Sequence, residues 1–117
     1  WLSQRKEVVK ILYPAWPKDP GHKIWRRDFL GASGLFGLLL KPLNLRATKN
    51  LIEGMKHFRI GASWGGHESL IIPANPIRAL PQSIWFEKGT LLRMHVGLED
   101  IRDLINDLEK GFARLLS

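Results

Sequence analysis

Apolar positions in this chain recur at two spacings, and together they predict a sheet covered by helices. Val8-Val9-Lys10-Ile11-Leu12-Tyr13 is β-branched and aromatic and is stopped by Pro14, which predicts a first strand. Residues 15–21, with Pro17 and Pro20, read as a surface loop, and His22 to Phe29 as a short helix with Ile24, Trp25 and Phe29 on its apolar side. Ser33 to Leu40 predicts a second strand, and the unbroken run Leu38-Leu39-Leu40 calls for burial on both faces or a central place in the sheet. Asn44 is a natural N-cap for a helix whose face holds Leu45, Thr48, Leu51, Ile52, Met55 and Phe58, spaced three and four apart. Two strands are expected at Phe58–Ala62 and Glu68–Ile72, separated by Ser63-Trp64-Gly65-Gly66-His67, and Pro73, Pro76 and Pro81 turn the following stretch into loop. Thr90 to Val96 alternates, with Leu92, Met94 and Val96 on one face and Leu91, Arg93 and His95 on the other. A last helix is predicted from about Leu98, with a buried stripe of Leu98, Ile101, Leu104, Ile105, Leu108, Phe112 and Leu115. Glu99, Asp100 and Asp103 in its first turns and Lys110 and Arg114 in its last suit the helix dipole. Strands and helices in this order predict an α+β sandwich: a small, mostly antiparallel sheet with helices packed on one face.

Composition narrows the class. A chain of 117 residues suits one domain with one core, and 44% hydrophobic with 25% charged residues is ordinary for a soluble globular domain. The longest uncharged stretch, Phe29 to Leu40, is broken by Gly31, Gly34 and Gly37 and falls short of a membrane span. No secretory leader pattern opens the chain. Cysteine is absent, which excludes thiolate zinc sites, iron–sulfur clusters and a cysteine nucleophile, and is compatible with a reducing cytoplasm. Trp1 to Glu7 reads as the last turns of a helix entering from elsewhere, so the chain is expected to be a piece of a longer protein.

A net charge of +7 raises the question of nucleic acid. The basic residues are scattered, however, and the tightest group, Lys23 with Arg26-Arg27, is followed at once by Asp28. No stripe of basic and aromatic residues forms a stacking platform, so neither nucleic acid nor membrane is the expected partner.

Few residues carry chemistry on pattern alone. Arg93 lies on the face of its strand opposite Leu92, Met94 and Val96, so its guanidinium points away from the core. There it is either a solvated or ion-paired charge or a two-point receptor for carboxylate or phosphate. The segment Ser63-Trp64-Gly65-Gly66 is either a tight connection with Trp64 filling a gap or a loop offering backbone and indole N–H groups to an anion. His22, His57, His67 and His95 show no ligand-pair spacing, so no metal is expected. No nucleophile elbow, phosphate loop, dinucleotide motif or catalytic carboxylate pair is present, and Glu99-Asp100 is accounted for by the start of a helix.

Three stretches taken together carry a resemblance. They are Gly21-His22-Lys23-Ile24-Trp25-Arg26-Arg27-Asp28-Phe29 with Gly31-Ala32-Ser33-Gly34-Leu35-Phe36, then Ser63-Trp64-Gly65-Gly66-His67-Glu68-Ser69-Leu70, then Leu92-Arg93-Met94-His95-Val96-Gly97-Leu98-Glu99-Asp100. In this order they resemble the C-terminal domain of the Cys/Met-metabolism family of pyridoxal-phosphate enzymes. The likeness runs over essentially the whole chain, through Gly111-Phe112-Ala113-Arg114. Within the family, Trp64 and the Gly-His-x-x-Trp-x-Arg-Asp-Phe segment resemble the cystathionine β-lyase branch. Ala62, where some β-lyases carry tyrosine, and His67, where an aromatic residue is usual, depart from that branch and bear on substrate preference.

The resemblance implies the small C-terminal domain of a fold type I enzyme: residues 1–117 as one domain, with 1–7 ending an incoming helix and 8–117 forming the sandwich. The large domain that binds pyridoxal 5'-phosphate would lie outside the chain, together with the lysine that bonds to the cofactor, since no lysine here stands in a Ser-x-Thr-Lys-like context. It implies β-elimination of L-cystathionine to homocysteine, pyruvate and ammonia in methionine biosynthesis, in a cytoplasmic homotetramer. By the same resemblance Arg93 would clamp the substrate α-carboxylate, with Ser63 and Trp64 assisting through backbone and indole donors. No catalytic or cofactor-binding residue is expected in the chain, no cofactor is expected bound to it, and alone it is expected to be inactive. A γ-lyase, γ-synthase or desulfhydrase, and a free-standing binding module, are the alternative readings.

Overall fold

A computed structural model describes residues 1–75 and 88–116. Among these residues there are five strands, β1 (Val8–Leu12), β2 (Leu35–Leu40), β3 (Arg59–Ile60), β4 (Leu70–Pro73) and β5 (Thr90–His95). Three helices accompany them, α1 (His22–Asp28), α2 (Leu45–Ile52) and α3 (Ile101–Ala113), with short 3-10 turns at Leu2–Gln4 and Arg114–Leu116. The strands form one sheet in the order β1-β2-β5-β4-β3. All neighbours run antiparallel except β3 and β4, which are parallel. The expected α+β sandwich with a mostly antiparallel sheet is what forms.

Burial follows the alternation. Leu38 and Leu40 of β2, Ile71 of β4, and Leu92 and Met94 of β5 meet Leu51 and Ile52 of α2 and Leu104, Leu108 and Phe112 of α3 in one core. The full burial of Leu38, Leu39 and Leu40 reflects β2's place between β1 and β5. Asn44 caps α2 as expected, its side chain accepting from the Ala47 N–H at 2.8 Å. The helix then ends sooner than its periodicity suggested. Gly54 takes a positive φ of 89° and turns the chain, so Met55 and Phe58 lie past the helix, although Phe58 is still buried in the core.

Two apolar faces differ from expectation. Helix α3 begins at Ile101 because Asp100 is its N-cap, accepting from the Arg102 N–H at 2.8 Å. Leu98 and Ile101 are therefore exposed, not buried, and the buried stripe is Leu104, Asp107, Leu108, Gly111 and Phe112. Only Asp103 is an acid in the helix's first turn, so Glu99 stands outside the helix. Helix α1 buries nothing, and Ile24 and Phe29 face solvent. It is tied down instead by Trp25, whose indole N–H donates to the Gly31 carbonyl at 3.2 Å. The expected strand ends at Tyr13, Ser33, Ala62, Glu68 and Val96 fray into connecting segments. Pro73 ends β4, while Pro76 and Pro81 lie outside the described residues.

Helices α2 and α3 are joined by polar contacts as well as apolar ones. The Arg114 guanidinium donates to the carbonyls of Asn50 (2.6 Å) and Leu51 (2.9 Å), satisfying acceptors that the end of α2 leaves open. Among the described residues no helix is long and apolar enough to cross a membrane.

Candidate functional site

The face of the sheet away from the core carries the charged group that the alternation of β5 predicts. Leu92 and Met94 are fully buried in the core, and Arg93 between them projects from the opposite face. Parallel pairing of β3 with β4 obliges the chain to loop back between them, and residues 61–69 make that return beside β5. Gly61 begins the loop where a β-carbon would come within 2.9 Å of Leu70, and Gly65 takes a φ of 89° in its middle.

Arg93 holds the first half of this loop. Its Nη2 donates to the carbonyl of Ala62 at 2.6 Å and lies 3.4 Å from those of Gly61 and Ser63. The guanidinium carbon sits 4.9 Å from the centre of the Trp64 ring, a cation–π arrangement. Nε and Nη1 have no hydrogen-bond partner among the described residues. The three residues singled out from the sequence, Arg93, Ser63 and Trp64, are thus brought together. Ser63 presents its carbonyl and Trp64 its ring to the guanidinium, a different contact from the donor roles expected of them.

His95 and Glu99 hold the second half. His95, which the alternation places beside Arg93 on the outer face, is 6% exposed, and its Nε2 lies 3.0 Å from the Gly66 carbonyl. A carbonyl only accepts, so Nε2 carries the proton, and Nδ1 is left buried without a partner among the described residues. The Leu98 N–H donates to the His67 carbonyl (2.9 Å), and the Gly97 N–H to the Ser69 hydroxyl (3.0 Å). Glu99 accepts from the Ser69 N–H through one oxygen at 2.8 Å and meets His57 Nδ1 through the other at 3.1 Å. Partial burial pushes the Glu99 carboxyl up, but the hydrogen bonds from Ser69 and His57 and the charge of His57 outweigh it and hold the group below its ordinary value. Gly97 is obligatory here, since a β-carbon would collide with the His67 carbonyl.

Strand alternation identified Arg93 from sequence. It also placed His95 on the same face, without the loop that buries it. Glu99 gave no sign of its role, because its partner Ser69 is distant in sequence. No group of three or more histidines or acids among the described residues is placed to hold a metal. A groove of about 500 Å³ opens at the edge of the core on the other face, between Trp1, Tyr13, Phe36, Met94 and Leu104. Among the described residues it is lined by no lysine, arginine, histidine or carboxylate.

The site is thus an outward arginine on an α+β domain, pinned under a glycine-containing loop with part of its fork unengaged. The chain belongs to the Cys/Met metabolism PLP-dependent enzyme family, whose model matches residues 1–113. It is 45% identical over 120 residues to the cystathionine beta-lyase MetC of Escherichia coli (strain K12), covering 99% of this chain and 30% of that protein. It is also 41% identical over 118 residues to an L-alanine/L-glutamate racemase of Wolbachia pipientis wMel, covering 98% of this chain and 29% of that one. Among solved structures it is similar to a cystathionine gamma synthase from Xanthomonas oryzae pv. oryzae in complex with cystathionine, with a TM-score of 0.80 and 27% identity. That match covers 98% of this chain and 31% of the synthase. The chain therefore spans about 30% of the length of the curated relatives it matches.

Pyridoxal phosphate is the cofactor of the family. The residues at Arg93 do not fit as its seat. A phosphate needs converging N–H donors, whereas this loop turns the carbonyls of residues 61–63 inward, and no lysine joins the contacts of Arg93.

Proposed function

We propose that the protein to which this chain belongs is a pyridoxal-phosphate-dependent carbon–sulfur lyase acting on L-cystathionine, and that this chain is its C-terminal domain, recognising the substrate α-carboxylate. The overall reaction consumes water and yields homocysteine, pyruvate and ammonia, a step of methionine biosynthesis. The cofactor supplies the electron sink for the cleavage and is held by a large domain outside this chain. The same reading makes the intact protein a cytoplasmic homotetramer and the chain alone inactive.

One observation carries the reading: a guanidinium aimed out of the sheet, fixed through Nη2 while Nε and Nη1 have no partner among the described residues. Nη2 carries two N–H bonds, and with one given to the Ala62 carbonyl its second can still pair with Nε–H or with Nη1–H to meet a carboxylate in two parallel hydrogen bonds. Anchoring Arg93 through the Ala62 carbonyl and the Trp64 ring removes rotamer freedom before substrate arrives, so less is lost on binding. A carboxylate held at two points fixes the orientation of the Cα–H bond that must break, and such orientation is worth several orders of magnitude in rate.

The likeness to a β-lyase at 45% identity supports β-elimination. The likeness to a racemase at 41% supports a second reading, because carboxylate recognition serves both reactions equally. Supplying the intact protein with cystathionine and, separately, with L-alanine decides between them. Pyruvate and homocysteine from cystathionine are expected. 2-Oxobutyrate would assign γ-elimination instead, and D-alanine without cystathionine cleavage would assign racemisation.

A further inference from the structure

We propose that His95 is a positioning residue of the Arg93 site, its Nε2–H tethering the Gly66 carbonyl and so fixing the loop that sets the guanidinium. The inference rests on the carboxylate reading of Arg93.

Residues 64–66 need a tether. They are exposed, Gly65 adopts a left-handed φ of 89°, and Gly66 has nothing within 4 Å of where a β-carbon would stand. Apart from the Trp64 ring on Arg93 and the Leu98 N–H bond to the neighbouring His67 carbonyl, neither packing nor backbone stiffness holds them in place. Among the described residues, the bond from His95 is the one hydrogen bond that reaches this segment. Arg93 grips the loop at residues 61–63, and His95, two positions along the same strand face, grips it at residue 66. Trp64 lies between the two grips with its ring on the guanidinium. Releasing Gly66 frees Trp64 to leave Arg93, and the guanidinium then samples orientations that cannot meet a carboxylate at two points.

The imidazole is poorly explained by packing. It lies between Leu35 of β2 and Leu70 of β4 in register, where an apolar side chain would fit the surroundings. Its Nδ1 is buried without a partner among the described residues, a penalty that an apolar residue would not carry. A histidine kept for the sheet alone would be improved upon by leucine. One kept for its Nε2–H would not.

The test uses the intact, cofactor-loaded protein. Glycine, which carries the α-carboxylate and no leaving group, serves as the binding probe by calorimetry, beside kcat and KM for cystathionine and the melting temperature. His95→Leu is expected to weaken glycine binding and raise KM about tenfold, with kcat within about threefold of wild type and no loss of thermal stability. His95→Gln, which can place an N–H near the position of Nε2, is expected to restore both to within about threefold. Unchanged binding in His95→Leu, or a folded His95→Gln no better than His95→Leu, would overturn the inference. Should His95→Leu fail to fold, His95→Gln decides alone: near-normal binding supports the tether, and binding about tenfold weaker removes it. Arg93→Ala separates the two levels. If it leaves glycine binding intact, the carboxylate reading itself fails; if it abolishes binding while His95→Leu does not weaken it, only the tether fails.

Discussion

At the scale of single residues, position on β5 decides what each side chain can do. Leu92 and Met94 fill the core because Arg93 and His95 do not, and that division is visible in the bare alternation of the sequence. What alternation could not supply is the lid. The loop that buries His95 and stacks Trp64 on Arg93 comes from residues about thirty positions earlier, and no local pattern marks their meeting. Glu99 is the clearest case. Beside Asp100 it looked like part of a helix start, yet it is Asp100 that caps α3, while Glu99 reaches back to Ser69 and His57. Its carboxyl is held below the ordinary value, so its contribution is fully present above the unfolded value near 4.5 and is lost as pH falls through the lower folded value. The Ser69 amide reports this locally. Its protection from hydrogen exchange is expected to drop as pH is lowered below about 4.5 and to become independent of pH in Glu99→Gln. Protection that does not change with pH in the unaltered protein would show that Glu99 does not hold this strand end.

At the scale of elements, the links between α2, α3 and the sheet are polar where the periodicity suggested only an apolar seam. Asp107 lies on the buried stripe of α3 and accepts from the backbone N–H groups of Lys56 (2.8 Å), His57 (2.8 Å) and Phe58 (3.0 Å). These are the residues that carry the chain from the turn at Gly54 into β3, and they have no helix or strand of their own to satisfy them. Asp107→Ala leaves three amides without their acceptor, and is expected to cost roughly 3–5 kcal/mol of stability in denaturant unfolding. Asp107→Asn, which keeps one acceptor, should cost less. A loss under about 1 kcal/mol for Asp107→Ala would mean water replaces the carboxylate readily. Gly111 completes the seam: a β-carbon there would come within 2.6 Å of Met55 and 3.0 Å of the Leu51 carbonyl, so its absence lets α3 approach α2. Helix and strand types were legible from periodicity. The helix ends depended on Gly54 and Asp100, single residues whose effect on the chain direction a periodic count does not include.

At the scale of the whole molecule, the sheet divides the apolar core from the face that carries Arg93 and His95. The core lies between the sheet and helices α2 and α3, and the opposite face of β5 presents Arg93 beneath a loop fastened at both ends. Leu98 and Ile101, read as core from their spacing, are exposed because the polar cap at Asp100 sets where α3 begins. The likeness to both a lyase and a racemase is compatible with the proposed carboxylate-recognition role, which several reactions on amino acids could share. The most direct test of that role is the steady-state kinetics of Arg93→Ala in the intact protein. Loss of a charge-assisted, two-point contact is expected to lower kcat/KM for cystathionine by about 2–5 kcal/mol, roughly 30- to 5,000-fold. Kinetics within about threefold of the unaltered protein would contradict the account and return Arg93 to a surface charge that merely fastens its own loop.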